Sequence, residues 1–209
     1  MNFLIVKFPP KLKIGENQKI AGFSFDTEND FQRWFLVDEG KLQKKRVVWD
    51  KDVGYQEKGS LHIEGGYRRM PVASGTSPLV PVESGKIYKV EAWIKAGQLL
   101  EKSNRDGFIR VDFYQDDPGD INLKTRSLYS TVSSRLFGTS DWVKREILIV
   151  APSGAKFMTV GMQISNYSDF WLDSVLVYQS TNRVDDIRLP NIDYRIPDDI
   201  LFPYSQGGL

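Results

Sequence analysis

The sequence predicts an all-β protein: an antiparallel β-sandwich with an extended arm at each end. Short segments such as Tyr88–Ile94 and Phe108–Tyr114 alternate apolar and polar residues, which is typical of strands that bury one face. Turn-forming residues, as in Glu83–Gly85 and Pro152–Gly154, separate these segments. A series of short strands divided by such turns favours a sandwich of antiparallel sheets.

The prolines divide the chain into three parts. Residues 1–22 include Pro9 and Pro10, and adjacent prolines cannot lie inside a paired central strand. Residues 180–209 carry prolines at 190, 197 and 203 between apolar residues, too many for a helix. We therefore expect residues 23–179 to form the sandwich and the flanking segments to be arms that pack on this domain or on a neighbour.

Composition excludes several classes of function. The 28 basic and 27 acidic residues are well mixed, with no basic stripe for nucleic acid, and no segment is apolar enough to insert into a membrane. The chain has no cysteine, which rules out disulfides and thiolate sites. The single histidine, His62, is expected to be a solvated strand residue and not part of a zinc site. The apolar run near the start lacks the flanking features of a signal peptide.

Alternation assigns the faces of the strands. We expect the inward side chains of three strands to be Tyr88, Val90, Ala92, Ile94, Ile109, Val111, Phe113, Met158, Val160, Met162 and Ile164. In the last strand, a period of two places Trp171, Asp173, Val175 and Val177 on one shared face.

The opposite, outward side of these strands carries the candidate site. Its members are Glu91, Trp93, Arg110, Asp112, Tyr114 and Gln163. Aromatic rings stack on the C–H faces of sugars, and planar polar groups hydrogen-bond to the hydroxyls, so this set has the residue types of a glycan-binding site. The alternative is a solvated sheet face with ion pairs of the Arg110–Asp112 type and a tryptophan at the edge of the core.

The order of several short motifs resembles carbohydrate-binding modules of the galactose-binding-like jelly-roll class, over about three quarters of the chain. The motifs are Phe25-Asp26 followed by Trp34; Val82, Gly85 and Tyr88 leading to Trp93 and Lys95; Asp141-Trp142; and Trp171 followed by Asp173. The resemblance implies a jelly roll that binds without catalysis. Glu91 and Asp112 could instead form a glycosidase pair, but acids on a strand face are usually solvated, and we expect no catalytic residue.

The resemblance also implies a structural calcium ion. In the family, an acid near the first strand and an acid in the last strand contribute ligands, and here these are Asp26 and Asp173. Calcium requires several oxygen ligands at once and would tie the two ends of the domain together. The alternative is two surface acids near a turn.

Arms on both sides of the sandwich suggest a subunit of an assembly, because ordering a long arm costs entropy that a partner surface must offset. We therefore expect a non-catalytic binding or structural subunit, such as a virion decoration, tail or adhesion protein. Its arms would contact other protein subunits, and its jelly roll could contact a polysaccharide or a cell-surface glycan at the exterior of a virion or cell. The alternative is a glycan-binding module of a secreted polysaccharide-processing system.

Overall fold

Two antiparallel sheets pack face to face around a shared apolar core in the computed structural model, so the predicted all-β sandwich is confirmed. The structure describes residues 17–38, 47–64, 73–97, 106–119, 126–133, 136–164 and 169–183. Within these residues, no helix has the length and apolarity needed to cross a membrane.

The first sheet contains six strands within the described ranges. They are β1 (Asn17–Phe23), β3 (Val47–Asp50), β4 (Ser60–Ile63), β7 (Lys86–Ala96), β11 (Ser140–Val150) and β13 (Phe170–Arg183). Their order is β11-β7-β13-β4-β3, and β1 pairs with β13 as well. The long strands β7, β11 and β13 therefore form a continuous surface next to β1.

The second sheet contains seven strands within the same ranges. They are β2 (Phe35–Asp38), β5 (Ala73–Thr76), β6 (Val80–Pro81), β8 (Asp106–Tyr114), β9 (Tyr129–Val132), β10 (Leu136–Phe137) and β12 (Phe157–Ile164). Their order is β10-β8-β12-β5-β2, with β6 paired to β12 and β9 paired to β8. Strands β7 and β8 are consecutive, but they belong to different sheets.

Alternate side chains of both sheets fill the space between them. Each of the eleven residues expected to face inward from β7, β8 and β12 is at most 2% exposed. Full burial of a Val, Ile, Phe or Met side chain contributes roughly 1.5–3 kcal/mol, so this alternation is the main source of stability that the sequence reveals.

The two turns expected to join β7 and β11 to their neighbours contain glycines with positive φ. Gly85 has a φ of 77° and Gly154 a φ of 84°, a region that residues with a Cβ rarely adopt. The N–H of Gly85 donates to the carbonyl of Ala151 at 2.9 Å. This bond connects the start of β7 to the end of β11.

A short helix, α1 (Glu28–Gln32), was not predicted. It begins with a capping box: the Asp30 N–H donates to Thr27 Oγ1 at 3.3 Å, and the Thr27 N–H donates to Asp30 Oδ2 at 3.2 Å. The helix leads to Trp34, which is 5% exposed and lies 4.9 Å from Phe25 between ring centroids. It thereby helps to hold the Phe25-Asp26 segment against the core.

The predicted shared face of the last strand is wrong, because β13 contains a β-bulge. Its register on β7 shifts between Asp173 and Leu176, and Ser174 has a φ of 50°. Before the bulge, Trp171 and Asp173 lie opposite Lys95 and Trp93, on the outer surface of the sheet. After the bulge, the two valines at 175 and 177 are fully buried in the core.

The strands extend beyond the expected boundaries of the sandwich at both ends. Residues 17–22, assigned to the N-terminal arm, lie in β1, where Asn17 pairs with Ser180 of β13. At the other end, β13 continues to Arg183, past the expected boundary at 179. The remainder of the two expected arms, 1–16 and 184–209, lies outside the described residues.

The bulge predicts unequal effects for two leucines of β13. Leu172 is fully buried, so Leu172→Ala should lower the free energy of unfolding by about 2–5 kcal/mol. Leu176 lies on the outer surface opposite Glu91, so Leu176→Ala should cost less than about 1 kcal/mol. Urea unfolding of both variants measures the difference. Equal losses would contradict the register shift.

Candidate functional site

The six candidate glycan-binding residues do not share one surface. Glu91 and Trp93 lie on the outer face of the first sheet. The other four lie on strands β8 and β12 of the second sheet: Arg110, Asp112, Tyr114 and Gln163. The expectation that neighbouring strands bring all six together is therefore wrong. The alternative pairing of Glu91 with Asp112 as glycosidase carboxylates is also wrong, because the core lies between them.

A groove of about 380 Å³ lies on the outer face of the first sheet and is called the outer groove below. Its lining includes Lys19, Tyr55, Glu91, Trp93, Lys144 and Leu176. These residues come from β1, β7, β11, β13 and the segment that joins β3 to β4. The outer groove therefore combines two of the candidate residues with side chains from distant parts of the chain.

Aromatic rings form one wall of the outer groove. The rings of Tyr55 and Trp93 are stacked, with centroids 3.7 Å apart and planes inclined by 15°. Trp142 of β11 approaches Tyr55 edge-on, at 6.2 Å and 67°. Tyr55 and Trp93 are only partly buried, so their rings, called the aromatic wall below, present apolar surface next to the cavity.

Glu91 provides an ionised carboxylate beside this wall. Lys89 Nζ lies 2.7 Å and Lys144 Nζ lies 2.9 Å from Glu91 Oε1, and the Glu91 side chain is 10% exposed. Burial alone would raise the pKa of Glu91, but hydrogen bonds from the two lysines outweigh it, and the pKa is lowered. Lys144 also contacts Glu146 at 2.8 Å. Glu91 is therefore a fixed hydrogen-bond acceptor at neutral pH.

The backbone of Tyr55 is hydrogen-bonded to the side chain of Asp173. The Tyr55 N–H donates to Asp173 Oδ2 at 2.8 Å, and the Ser174 N–H donates to Asp173 Oδ1 at 2.6 Å. Asp173 is 2% exposed and occupies the last position before the bulge. Burial raises the pKa of Asp173, and the negative charge of Asp26 raises it further.

The two predicted calcium ligands, Asp26 and Asp173, are close enough for their charges to repel. Asp26 is exposed and accepts a hydrogen bond from Ser24 Oγ at 2.8 Å. Within the described ranges, no group of three or more His, Cys, Asp or Glu side chains could hold a metal. Two repelling carboxylates do fit a cation whose other ligands are backbone carbonyls, and the calcium site remains a prediction.

The candidate residues on the second sheet belong to a polar cluster in which Arg110 donates several hydrogen bonds. Arg110 donates from Nε to Asp112 at 2.9 Å, from one terminal nitrogen to Gln163 at 3.3 Å, and from the other to Ser130 at 3.4 Å. Tyr114 is 5% exposed, and burial together with the charge of Asp112 raises its pKa. Arg110 and Asp112 therefore pair within one strand, and hydrogen bonds join Arg110 to Gln163 and Ser130 as well.

His62 points to the outer side of β4, but it is not the solvated residue that was expected. Its ring stacks on Trp171, with centroids 4.4 Å apart and an interplanar angle of 4°. Its side chain is only 13% exposed, and Nε2 lies 3.6 Å from Asp169 Oδ1. The His62 ring therefore packs against the Trp171 ring on the outer side of the first sheet.

Sequence reasoning missed the contributions of Lys144 and Tyr55. The register of β11 on β7 places Lys144 opposite Trp93 and Glu146 opposite Glu91, so a correct strand pairing could have revealed them. Tyr55 lies in an irregular segment and reaches the outer groove through a hydrogen bond to a residue 118 positions away. No local pattern in the sequence signals such a contact.

Comparison with protein-family models finds no match, and comparison with curated proteins finds none either. Solved structures do match in fold. The family 22 carbohydrate-binding module joined to a glycoside hydrolase domain of Clostridium thermocellum endo-1,4-β-D-xylanase 10B, solved with xylohexaose, has a TM-score of 0.54 and 13% identity. The match covers 82% of this chain and 30% of that chain.

Two further structures have similar scores. The enzymatically active domain of tailspike protein 4 of bacteriophage CBA120 has a TM-score of 0.51 and 12% identity, and covers 73% of this chain and 21% of its own. The tandem family 22 carbohydrate-binding domains from Paenibacillus barcinonensis have a TM-score of 0.51 and 14% identity, over 79% of this chain and 47% of theirs.

These similarities define the class of fold. The chain has the jelly-roll sandwich found in family 22 carbohydrate-binding modules, as the order of its motifs led us to expect. It spans less than half of each of these three chains, and the low identities support the fold alone. A function for the outer groove must therefore be argued from its own side chains.

Proposed function

We propose that the protein binds carbohydrate without catalysis, through the outer groove. The observation that carries this proposal is the aromatic wall of Tyr55 and Trp93 next to the ionised Glu91, in a cavity of about 380 Å³. Aromatic rings bind the C–H faces of sugars, and charged groups hydrogen-bond to the hydroxyls. Glu91 supplies acceptors, and the ammonium groups of Lys19 and Lys144 supply donors.

The state of Glu91 supports binding over catalysis. A glycosidase needs a general acid with a raised pKa and a second carboxylate across the scissile bond. Hydrogen bonds from Lys89 and Lys144 instead lower the pKa of Glu91. Asp112, the partner considered from the sequence, lies on the opposite surface. Release of reducing ends from any polysaccharide would contradict a purely binding role.

The assembly role of the protein is proposed on the basis of its two terminal segments. Residues 1–16 and 184–209 flank the described strands and combine apolar residues with prolines. A virion decoration, tail or adhesion subunit would use such segments to contact other protein subunits and would present the outer groove to glycans at the exterior of a virion or cell. A glycan-binding module of a secreted polysaccharide-processing system is the second candidate, and the match to a xylanase module is the observation that favours it.

Trp93→Ala should weaken glycan binding by about tenfold or more, because it removes the larger ring of the aromatic wall. A polysaccharide array that includes xylan identifies the ligand, and titration calorimetry measures the affinity. Gln163→Ala, in the polar cluster on the opposite face, is the matched control and should bind like the unaltered protein. Loss of binding in the control alone would transfer the site to the second sheet.

Deletion of residues 1–16 and 184–209 should separate assembly from binding. The deletion retains all of β1 and β13, so the sandwich keeps its first and last strands. Light scattering coupled to gel filtration should show a higher assembly state for the full chain than for the deletion variant, and glycan binding should persist. An unchanged assembly state would favour the secreted-module alternative.

A calcium ion at Asp26 and Asp173 would relieve the repulsion between the two carboxylates. Calcium should therefore raise the Tm of the protein, since a ligand at about 100 times its Kd stabilises a folded protein by about 2.7 kcal/mol. Asp26→Asn should abolish this increase, whereas Asp52→Asn, at another exposed acid, should preserve it. Identical melting curves in calcium and in chelator would disprove the site.

A further inference from the structure

The aromatic wall is built from two parts of the chain with very different support. Trp93 stands on β7, which is paired on both sides, by β11 and by β13. Tyr55 instead belongs to the segment 51–59 between β3 and β4, where no regular strand fixes its position. Other interactions must therefore bring the Tyr55 ring to 3.7 Å from that of Trp93.

The two ends of this segment are anchored by contacts that do not include Tyr55. At its start, Asp50 Oδ1 accepts hydrogen bonds from the N–H groups of Asp52 and Val53. At its end, Ser60 Oγ donates to the carbonyl of Val53 at 2.6 Å, and Gly59 packs against the backbone of Phe25. These contacts fix where the segment leaves and re-enters the sheet, but none of them involves Tyr55.

Asp173 accepts a hydrogen bond from the backbone of Tyr55. Its carboxylate is 2% exposed, and hydrogen bonds from backbone N–H groups to such a buried charge are stronger than neutral ones. The bulge at Ser174 allows Asp173 to remain on the outer surface while the following valines return to the core. Asp173 also lies directly opposite Trp93 in the pairing of β13 with β7.

We infer that Asp173 is the positioning residue of the outer groove: it holds the backbone of Tyr55 so that the two rings form one wall. This inference rests on the proposed function of the outer groove and assigns Asp173 a role in that site. The residue acts through Tyr55 and does not contact the ligand. The hydrogen bond to the Tyr55 N–H and the ring stack above it are the geometry that carries the inference.

The first test requires no ligand and no change at Asp173. Outside a regular strand, slow exchange of the Tyr55 amide hydrogen should depend on its hydrogen bond to Asp173. Hydrogen exchange followed by NMR should therefore show a protected Tyr55 amide, and the protection should persist in Trp93→Ala. Exchange as fast as in an unstructured peptide would overturn the inference.

The second test alters Asp173 itself. Asp173→Ala removes both side-chain acceptors, so the Tyr55 N–H and the Ser174 N–H each lose their partner. NMR contacts between the rings of Tyr55 and Trp93 should weaken in this variant, whereas contacts between Phe25 and Trp34 in the core should remain. Unchanged contacts between Tyr55 and Trp93 in a folded variant would contradict a positioning role.

The third test uses xylohexaose as the probe. Asp173→Ala and Tyr55→Ala should each weaken its binding by about tenfold, and the double variant should lose no more than Tyr55→Ala alone. Additive losses would mean that Asp173 acts independently of Tyr55, and tighter binding by Tyr55→Ala would show that Tyr55 covers surface that the ligand needs. Either result overturns the inference.

Asp26→Asn is the matched control for these variants. It removes the neighbouring carboxylate without changing either hydrogen bond of Asp173, so xylohexaose affinity should be retained in chelator. A loss as large as that of Asp173→Ala would attribute the effect to the pair of acids and contradict the positioning role. If the unaltered protein binds neither xylohexaose nor any arrayed glycan, the proposed function fails, while the exchange and NMR results still decide the role of Asp173.

Discussion

The apolar contact between the two sheets is the constraint on which the other features depend. Because successive side chains of a strand point to opposite sides, every strand residue faces either this contact or one of two outer surfaces. Glu91 and Asp112 occupy similar positions in similar alternating segments, yet the core separates them. A functional site on a sandwich therefore cannot be assigned from alternation alone, since it also requires knowledge of which strands share a sheet.

Alternation predicted the residues that face the core from β7, β8 and β12, and each of them is buried. It failed in β13, because the bulge at Ser174 inserts an extra residue and reverses the faces after it. A positive φ is typical of glycine and uncommon for serine, so the sequence contained no clear signal of the bulge. The helix α1 was missed for a different reason: five residues are too few to show a helical period, although Thr27 and Asp30 do form a recognisable capping pair.

The sequence indicates those residues of the candidate site whose position follows from their own strand, and it does not indicate those placed by contacts with distant segments. Glu91 and Trp93 alternate with core residues of their own strand, and the sequence indicates both. Lys144 follows from the register of β11 on β7, which the sequence suggests only indirectly. Tyr55 lies in an irregular segment and is hydrogen-bonded to Asp173, 118 positions away, and a contact of that kind leaves no periodic trace.

The two outer surfaces show why polar residue types alone do not identify a binding site. Arg110 directs its donors to Asp112, Gln163 and Ser130, so a ligand there would have to compete with charge-assisted bonds that already exist. In the outer groove, a sugar ring could cover aromatic surface without breaking any such bond. Glu91 retains acceptor capacity even with two lysines bound, because an ionised carboxylate has about four lone-pair sites. Affinity at the outer groove would thus come mainly from the rings, and orientation of the sugar from the charges beside them.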